Sequence, residues 1–194
     1  MTRRAELFGQ FIPAEPIAPR HLVTRGGAGS GTTEASEKHI TEEMIAAVAL
    51  IELIIPRVPS RIENTVRAAI VIGHRRTDID DLARACGIAP RTLHLRLASS
   101  PTMTARQLLA WALVLHATWR LERLEWNIKR TAAAAGFTTR DAFANYVRRN
   151  VSVRPALLAS RGAVVLVCEQ CVARLGGDRS LAAAKRAPVD LRVL

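Results

Sequence analysis

Apolar residues recur at helical spacing along much of the chain, and two stretches repeat one arrangement of them. Each stretch consists of a capped amphipathic helix, a glycine and a second short helix; the first covers 78–97 and the second 127–147. This doubled pattern is typical of helix-turn-helix units. The sequence therefore predicts an all-α fold built around two such units.

In the first stretch, Asp78 is placed to accept a hydrogen bond from the first helical turn, and Asp81 favours the same start. Gly87 can adopt the left-handed conformation that ends a helix at low steric cost. Pro90 has the fixed φ that suits the first position of the next helix. The inward side of that helix is a pair of residues four positions apart, Leu93 and Leu97.

The second stretch repeats these features with different residues. Asn127 takes the place of the cap, Gly136 that of the turn glycine, and Phe137 is the apolar residue that follows the turn. Thr138 and Asp141, three positions apart, predict a capping box at the start of the second helix. Its inward side is again a pair of residues four positions apart, Phe143 and Val147.

Helices are also predicted before and between the two units. An apolar helix is expected from Thr41 to Ile55, and a further helix over 60–74 completes the first three-helix unit. The stretch 104–122 predicts one long connecting helix, in which Trp111 and Trp119 belong to the core. A rigid connector of this kind would hold the two units in a fixed relative position.

The predicted domain organisation has four parts. Residues 1–40 form a flexible N-terminal segment, and 41–58 an apolar helix that must pack on the rest of the chain or on another subunit. Residues 59–160 form the double helix-turn-helix domain, and 161–194 a C-terminal extension. Within that extension, 163–175 is apolar and is compatible with a short strand or a helix, and 179–194 is a basic tail.

The charge of the chain favours a polyanionic partner. The formal net charge is +11 and the calculated pI is about 11.2, so we expect binding to nucleic acid. No run reaches the roughly 18 apolar residues of a membrane span, and early prolines argue against a signal peptide. The presence of only three cysteines agrees with a reducing compartment. We therefore expect a cytoplasmic, nucleoid-associated protein without a membrane partner.

Little in the sequence indicates catalysis or metal binding. We find no glycine-rich phosphate loop, no paired carboxylates and no Ser/His/Asp set, so we expect no catalytic residues, no cofactor and no metal site. Cys168 and Cys171 have the spacing of half a zinc site, but the second half is missing. Two small buried cysteines are the favoured interpretation, and thiol or metal sensing is the alternative.

Over about 62–158 the arrangement resembles the DNA-binding region of the AraC/XylS family of bacterial transcription regulators. The resemblance is carried by the two helix-turn-helix stretches in this order, with a Gly-Phe turn in the second and a proline after it. The matching residues are Leu82, Ala83, Gly87, Ile88, Pro90, Arg91, Thr92, Leu93, Ala132, Gly136, Phe137, Phe143, Arg148, Arg149 and Pro155.

The resemblance implies two three-helix units on a connecting helix, each offering one recognition helix to the major groove of double-stranded DNA. The positions that it assigns to base contacts are Arg91, Thr92, His94, Leu95, Arg140, Asp141, Ala142 and Asn145. Arginine can pair with guanine and asparagine with adenine. The residues better suited to phosphate are Arg96, Thr138, Arg148 and Arg149.

Some positions depart from the family pattern. Ala89 replaces a serine that usually caps the helix, and Leu95 replaces a common arginine. Leu113 replaces an arginine on the connecting helix, and Ser152 replaces a glycine. The first recognition helix is thus poorer in polar groups. The alternative to a sequence-specific regulator is a protein-interaction module on the same scaffold, in which 41–55 binds a second copy or another protein.

Overall fold

The computed structural model describes residues 31–98, 103–151 and 153–176, and every regular element in these ranges is helical. The all-α prediction is confirmed. The helices are α1 (Gly31–Ile54), α2 (Ser60–Ile72), α3 (Ile79–Ala85), α4 (Pro90–Ala98), α5 (Ala105–Glu122), α6 (Ile128–Ala134), α7 (Arg140–Val151) and α8 (Ala163–Arg174), with 3-10 turns at Ile55–Arg57 and Pro155–Ala159. The predicted basic tail and the start of the predicted flexible segment lie outside the described residues.

The connecting helix α5 is the centre of the molecule. The Thr104 hydroxyl accepts a hydrogen bond from the Gln107 backbone at 3.3 Å, and the Gln107 side chain accepts one from the Thr104 backbone at 2.9 Å. From Leu108 to Leu121 every residue is buried, because α1, α2, α7 and α8 all pack against this helix. The helix α5 also contacts α6, so it serves as the third helix of the second unit as well as the connector.

The first helix begins earlier than the sequence indicated. The structure starts α1 at Gly31 rather than at Thr41, so the prediction of a flexible segment up to residue 40 is wrong for 31–40. The run Glu-Ala-Ser-Glu-Lys over 34–38 contains good helix formers and allows the extension. The inner side of α1, with Leu50 and Ile54 fully buried, packs on α2, α5 and α8. Of the two expected arrangements, packing on the rest of the chain or on another subunit, the structure contains the first.

The described part of the C-terminal extension, which ends at residue 176, belongs to the same core. Residues 163–174 form a helix and not a strand, and its inward positions include Cys168 and Cys171. The carboxylate of Glu122, at the end of α5, accepts hydrogen bonds from the backbone N–H groups of Gly162 at 2.8 Å and Val164 at 2.6 Å. A carboxylate is favourable there because the first N–H groups of a helix have no partner within the helix.

Candidate nucleic-acid interface

The turn between α3 and α4 has the geometry that its glycine predicts. Asp78 caps α3 by accepting a hydrogen bond from the Asp81 backbone at 2.8 Å. Gly87 has φ +64°, and the N–H groups of Gly87 and Ile88 donate to the carbonyls of Arg84 and Ala83. This pair of bonds is a Schellman motif, which satisfies the last carbonyls of α3 and turns the chain into α4.

The turn between α6 and α7 repeats that geometry. Asn127 caps α6 through the Arg130 backbone at 2.8 Å, and Gly136 has φ +84°. The N–H groups of Gly136 and Phe137 donate to the carbonyls of Ala133 and Ala132. The two stretches therefore have the same helix-ending turn, as the doubled sequence pattern predicted.

The predicted cap of α7 was wrong by one residue. The hydroxyl of Thr139, not that of Thr138, accepts a hydrogen bond from the Ala142 backbone at 3.1 Å. The second turn is one residue longer than the first, since α7 begins four residues after Gly136 whereas α4 begins three residues after Gly87. The extra residue lies after Phe137, whose ring packs on other aromatic rings. Its two ring neighbours are Phe143 at 5.5 Å and Tyr146 at 5.2 Å.

The helix α4 buries its apolar pair and exposes the positions that the resemblance assigns to DNA. Leu93 is fully buried and Leu97 nearly so. The exposed residues of this helix include Arg91, Thr92, His94, Leu95 and Arg96. Leu95, an apolar residue, is 66% exposed. The outer side of α4 is thus available to a ligand.

The helix α7 is arranged in the same way. Its apolar pair, Phe143 and Val147, is fully buried. The exposed residues on or just before this helix include Thr138, Arg140, Asp141, Ala142, Asn145, Arg148 and Arg149. Because the second turn is longer, Asn145 and not Ala144 is the counterpart of Leu95, two positions beyond the first buried residue of each helix.

Two side-chain contacts organise the exposed side of α7. The Arg148 guanidinium donates a hydrogen bond to the side-chain oxygen of Asn145, which holds the amide in one orientation. Arg140 lies 3.7 Å from the carboxylate of Asp141, and both are exposed, so this ion pair contributes little to stability. Arg148 was assigned to phosphate from the sequence, and its bond to Asn145 is a contact that only the structure reveals.

One loop links the two units directly, and sequence reasoning missed it. The backbone N–H of Arg76, after α2, donates to the carbonyl of Ala135 in the second turn at 3.3 Å. The Arg76 guanidinium carbon lies 5.4 Å from the centre of the Phe137 ring, a cation–π contact. A basic residue before the first cap was the only signal of this contact, and such a residue is also common on solvated surfaces.

The cysteines of α8 are buried thiols. Burial raises the pKa of Cys168 to about 12 and raises that of Cys171 as well, so both remain protonated and unreactive at neutral pH. Within 31–98, 103–151 and 153–176, no group of three or more potential metal ligands lies together. The interpretation as small core residues agrees with this burial.

Among the described helices, none has the combined length and apolar character of a membrane span.

Comparison with known proteins gives one match. Residues 82–161 match the family model described as a helix-turn-helix domain, which is of the AraC type and covers both turns, α5 and α7. No curated protein and no solved structure matches the chain. Residues 82–161 are therefore similar to a helix-turn-helix domain of the AraC type, which agrees with the resemblance over 62–158.

Proposed function

We propose that the chain is a transcription regulator that binds specific sequences in double-stranded DNA, with α4 and α7 as two recognition helices in successive major-groove segments. The observation that carries the proposal is the paired arrangement of these helices. Each follows a Schellman turn, buries an apolar pair and exposes an arginine near its N-terminus, Arg91 and Arg140. A regulator of this kind would act in the cytoplasm, at the nucleoid.

The exposed side chains support different roles along each helix. Arg91 and Arg140 can donate two hydrogen bonds to guanine, and Asn145 can pair with adenine. The other residues that we propose to contact bases are Thr92, His94, Leu95, Asp141 and Ala142. For Leu95 and Ala142, apolar contact with a thymine methyl group is the suitable interaction. The residues that we propose to contact phosphate are Arg96, Thr138, Arg148 and Arg149.

Selection of binding sequences from a pool of random duplexes tests this proposal. We expect the wild-type protein to enrich a motif with two half-sites about 10 base pairs apart, since adjacent major-groove segments on one side of the duplex are one helical turn apart. Arg91→Ala and Arg140→Ala should each relax base preference in one half-site, at a cost of about 1–3 kcal/mol in binding to the selected sequence.

The matched control is Arg67→Ala. Arg67 lies on α2 and forms an ion pair with Glu63 at 2.9 Å, so it carries the same charge away from α4 and α7. We expect this variant to keep the wild-type motif. Failure of the wild-type protein to enrich any motif would contradict sequence-specific binding, and an unchanged motif in both arginine variants would contradict the assigned roles.

A second function is favoured by the outer side of α1. Three apolar residues spaced four apart, Ile40, Met44 and Val48, are exposed, with Met44 at 61%. Exposed apolar stripes of this kind are common at protein interfaces. We propose that this stripe, which consists of Ile40 and two residues within 41–55, binds a second copy or another protein. A wild-type monomer in light scattering, together with no change in mass or DNA binding for Met44→Glu, would contradict this function.

A further inference from the structure

A single buried arginine connects the parts of the structure that lead to the two recognition helices. Arg120, near the end of α5, is 2% exposed. One of its terminal nitrogens, Nη2, donates to the carboxylate of Glu43 on α1 and, at 2.9 Å, to the backbone carbonyl of His74. His74 lies two residues after the end of α2 and four residues before the cap of α3, Asp78. The guanidinium therefore joins α5, α1 and the first unit.

The other side of the guanidinium faces the second unit. Its carbon lies 5.7 Å from the centre of the Trp126 ring, and the Trp126 backbone N–H donates to the Arg120 carbonyl at 3.0 Å. Arg130, on α6, stacks on the same ring at 3.7 Å. Trp126 is the residue before the Asn127 cap of α6. Its ring therefore lies between the Arg120 guanidinium and the first helix of the second motif.

In this protein we expect the buried ion pair to restrict geometry more than an apolar contact would. Removing two charges from water is costly, and aligned hydrogen bonds offset part of that cost. A volume-conserving exchange between apolar side chains usually costs less. Arginine suits this position because its planar group donates in several fixed directions at once. The contacts of Arg120 are therefore suited to holding the two units in one relative position.

We propose that Arg120, paired with Glu43, is a positioning residue that sets the relative placement of the two units and thereby the half-site spacing that the protein accepts on DNA. This inference rests on the proposed function for its DNA consequence. It also gives α1 a part in DNA binding, because Glu43 acts through Arg120 and is not itself a recognition residue.

Binding to duplexes of altered spacing tests the DNA consequence. The variants are Glu43→Gln, which keeps the side-chain shape, and Arg120→Lys, which keeps the charge but not the planar group. We expect affinity for the optimally spaced duplex to fall about tenfold, and affinity for a duplex with one half-site to change less than about twofold, because only the linkage of two binding events is weakened. The preference for the optimal spacing over one inserted base pair should shrink by a similar factor.

The matched controls are Glu63→Gln and Arg67→Lys, which weaken an ion pair between the same residue types on the exposed part of α2. Both should keep the wild-type spacing preference. A wild-type spacing preference in both Glu43→Gln and Arg120→Lys would overturn the proposal. An equal loss on the single half-site would also overturn it, because that result indicates general destabilisation.

A distance measurement without DNA separates this inference from the proposed function. Spin labels at Leu95→Cys on α4 and Ala142→Cys on α7 report the relative placement of the two exposed sides, in a background with Cys86→Ala. Cys168 and Cys171 are buried and unreactive, so they can stay. We expect one narrow distance in the wild type and with Glu63→Gln, and a broader or shifted distance with Glu43→Gln.

An unchanged narrow distance with Glu43→Gln would overturn the positioning role whether or not the chain binds specific DNA. A broadened distance in a protein that enriches no DNA motif would support the positioning role and contradict the proposed function. Should Arg120→Lys fail to fold, the result with Glu43→Gln decides.

Discussion

At the residue scale, the most informative side chain outside the exposed helix sides is His116. It is 1% exposed in the middle of α5, and its Nε2 lies 2.8 Å from the backbone carbonyl of Ile70, to which the neutral ring donates. Burial, together with the nearby charges of Arg120 and His74, lowers the pKa of His116 from 6.5 to about 4, although the Ile70 hydrogen bond and Glu43 act in the opposite direction. Burial also lowers the pKa of His74, whose ring lies 6.2 Å from that of His116.

This burial predicts a loss of stability in mild acid. The unfolded chain binds a proton at the ordinary pKa of 6.5, whereas the folded chain resists it until about pH 4. The free energy of unfolding should therefore be unaffected by this group above pH 6.5 and should fall between these two values, by about 3 kcal/mol in total. Denaturant titrations from pH 7 to pH 4 measure this slope.

The variant His116→Gln keeps a donor for the Ile70 carbonyl and removes the titrating group, so we expect a flatter pH dependence over the same interval. His94→Gln is the control, because His94 is exposed on α4, and it should keep the wild-type slope. The same slope in His116→Gln as in the wild type would show that other groups cause the acid sensitivity.

At the element scale, glycines have two different roles. Gly87 and Gly136 are required for their left-handed backbone, with φ +64° and +84°. Gly73, at the end of α2, has an ordinary φ of −78° and is required for space. A Cβ atom there would lie 2.4 Å from the Ala112 Cβ and 2.5 Å from the Ala69 carbonyl oxygen. The close approach of α2 to α5 therefore depends on the missing side chain at Gly73.

The two roles predict different costs for substitution by alanine. Gly87→Ala should reduce the free energy of unfolding by about 1 kcal/mol, because a Cβ there meets open space and only the left-handed backbone is strained. Gly73→Ala should cost about 3 kcal/mol, since α2 and α5 must move apart. Chemical denaturation of both variants measures the difference, and a smaller loss for Gly73→Ala than for Gly87→Ala would contradict the close approach.

At the scale of the whole molecule, the net charge of +11 must be divided between charges that contact DNA and charges that do not. Arg148 and Arg149 are exposed in the last turn of α7, where their positive charges also interact favourably with the negative end of the helix dipole. Arg120 has the same charge but is buried and paired within the core. Charge counted from the sequence therefore overstates the charge available to phosphate.

The salt dependence of DNA binding should reveal this division. Replacing both Arg148 and Arg149 by alanine should reduce the slope of log affinity against log salt concentration by about 2, because each phosphate contact contributes about 0.9. Leu95→Ala is the control, and we expect it to change affinity without changing the slope. Titrations at several salt concentrations measure the slope, and an unchanged value in the double variant would contradict phosphate contacts by these residues.

Local sequence was sufficient to predict the helices of the two units, their caps at Asp78 and Asn127, and the left-handed glycines of both turns. Those features depend on residues within one or two helical turns of each other, so spacing and residue type indicate them directly. The exposed and buried sides of α4 and α7 followed from the same periodicity. The cap of α7 was misplaced by one residue because the second turn is one residue longer than the first, and the spacing of Thr138 and Asp141 did not indicate this difference.

The residues that hold these elements together are distant in sequence and meet only in the folded chain. Arg120 pairs with Glu43 across 77 positions of sequence, Glu122 caps α8 across 40, and Leu113 is buried where the family resemblance leads to an arginine. Such contacts depend on how α1, α5 and α8 pack, and no local pattern encodes the partner of a charged side chain. Residue type and spacing therefore specify the two helix-turn-helix motifs, whereas the packing around α5 specifies how they are joined.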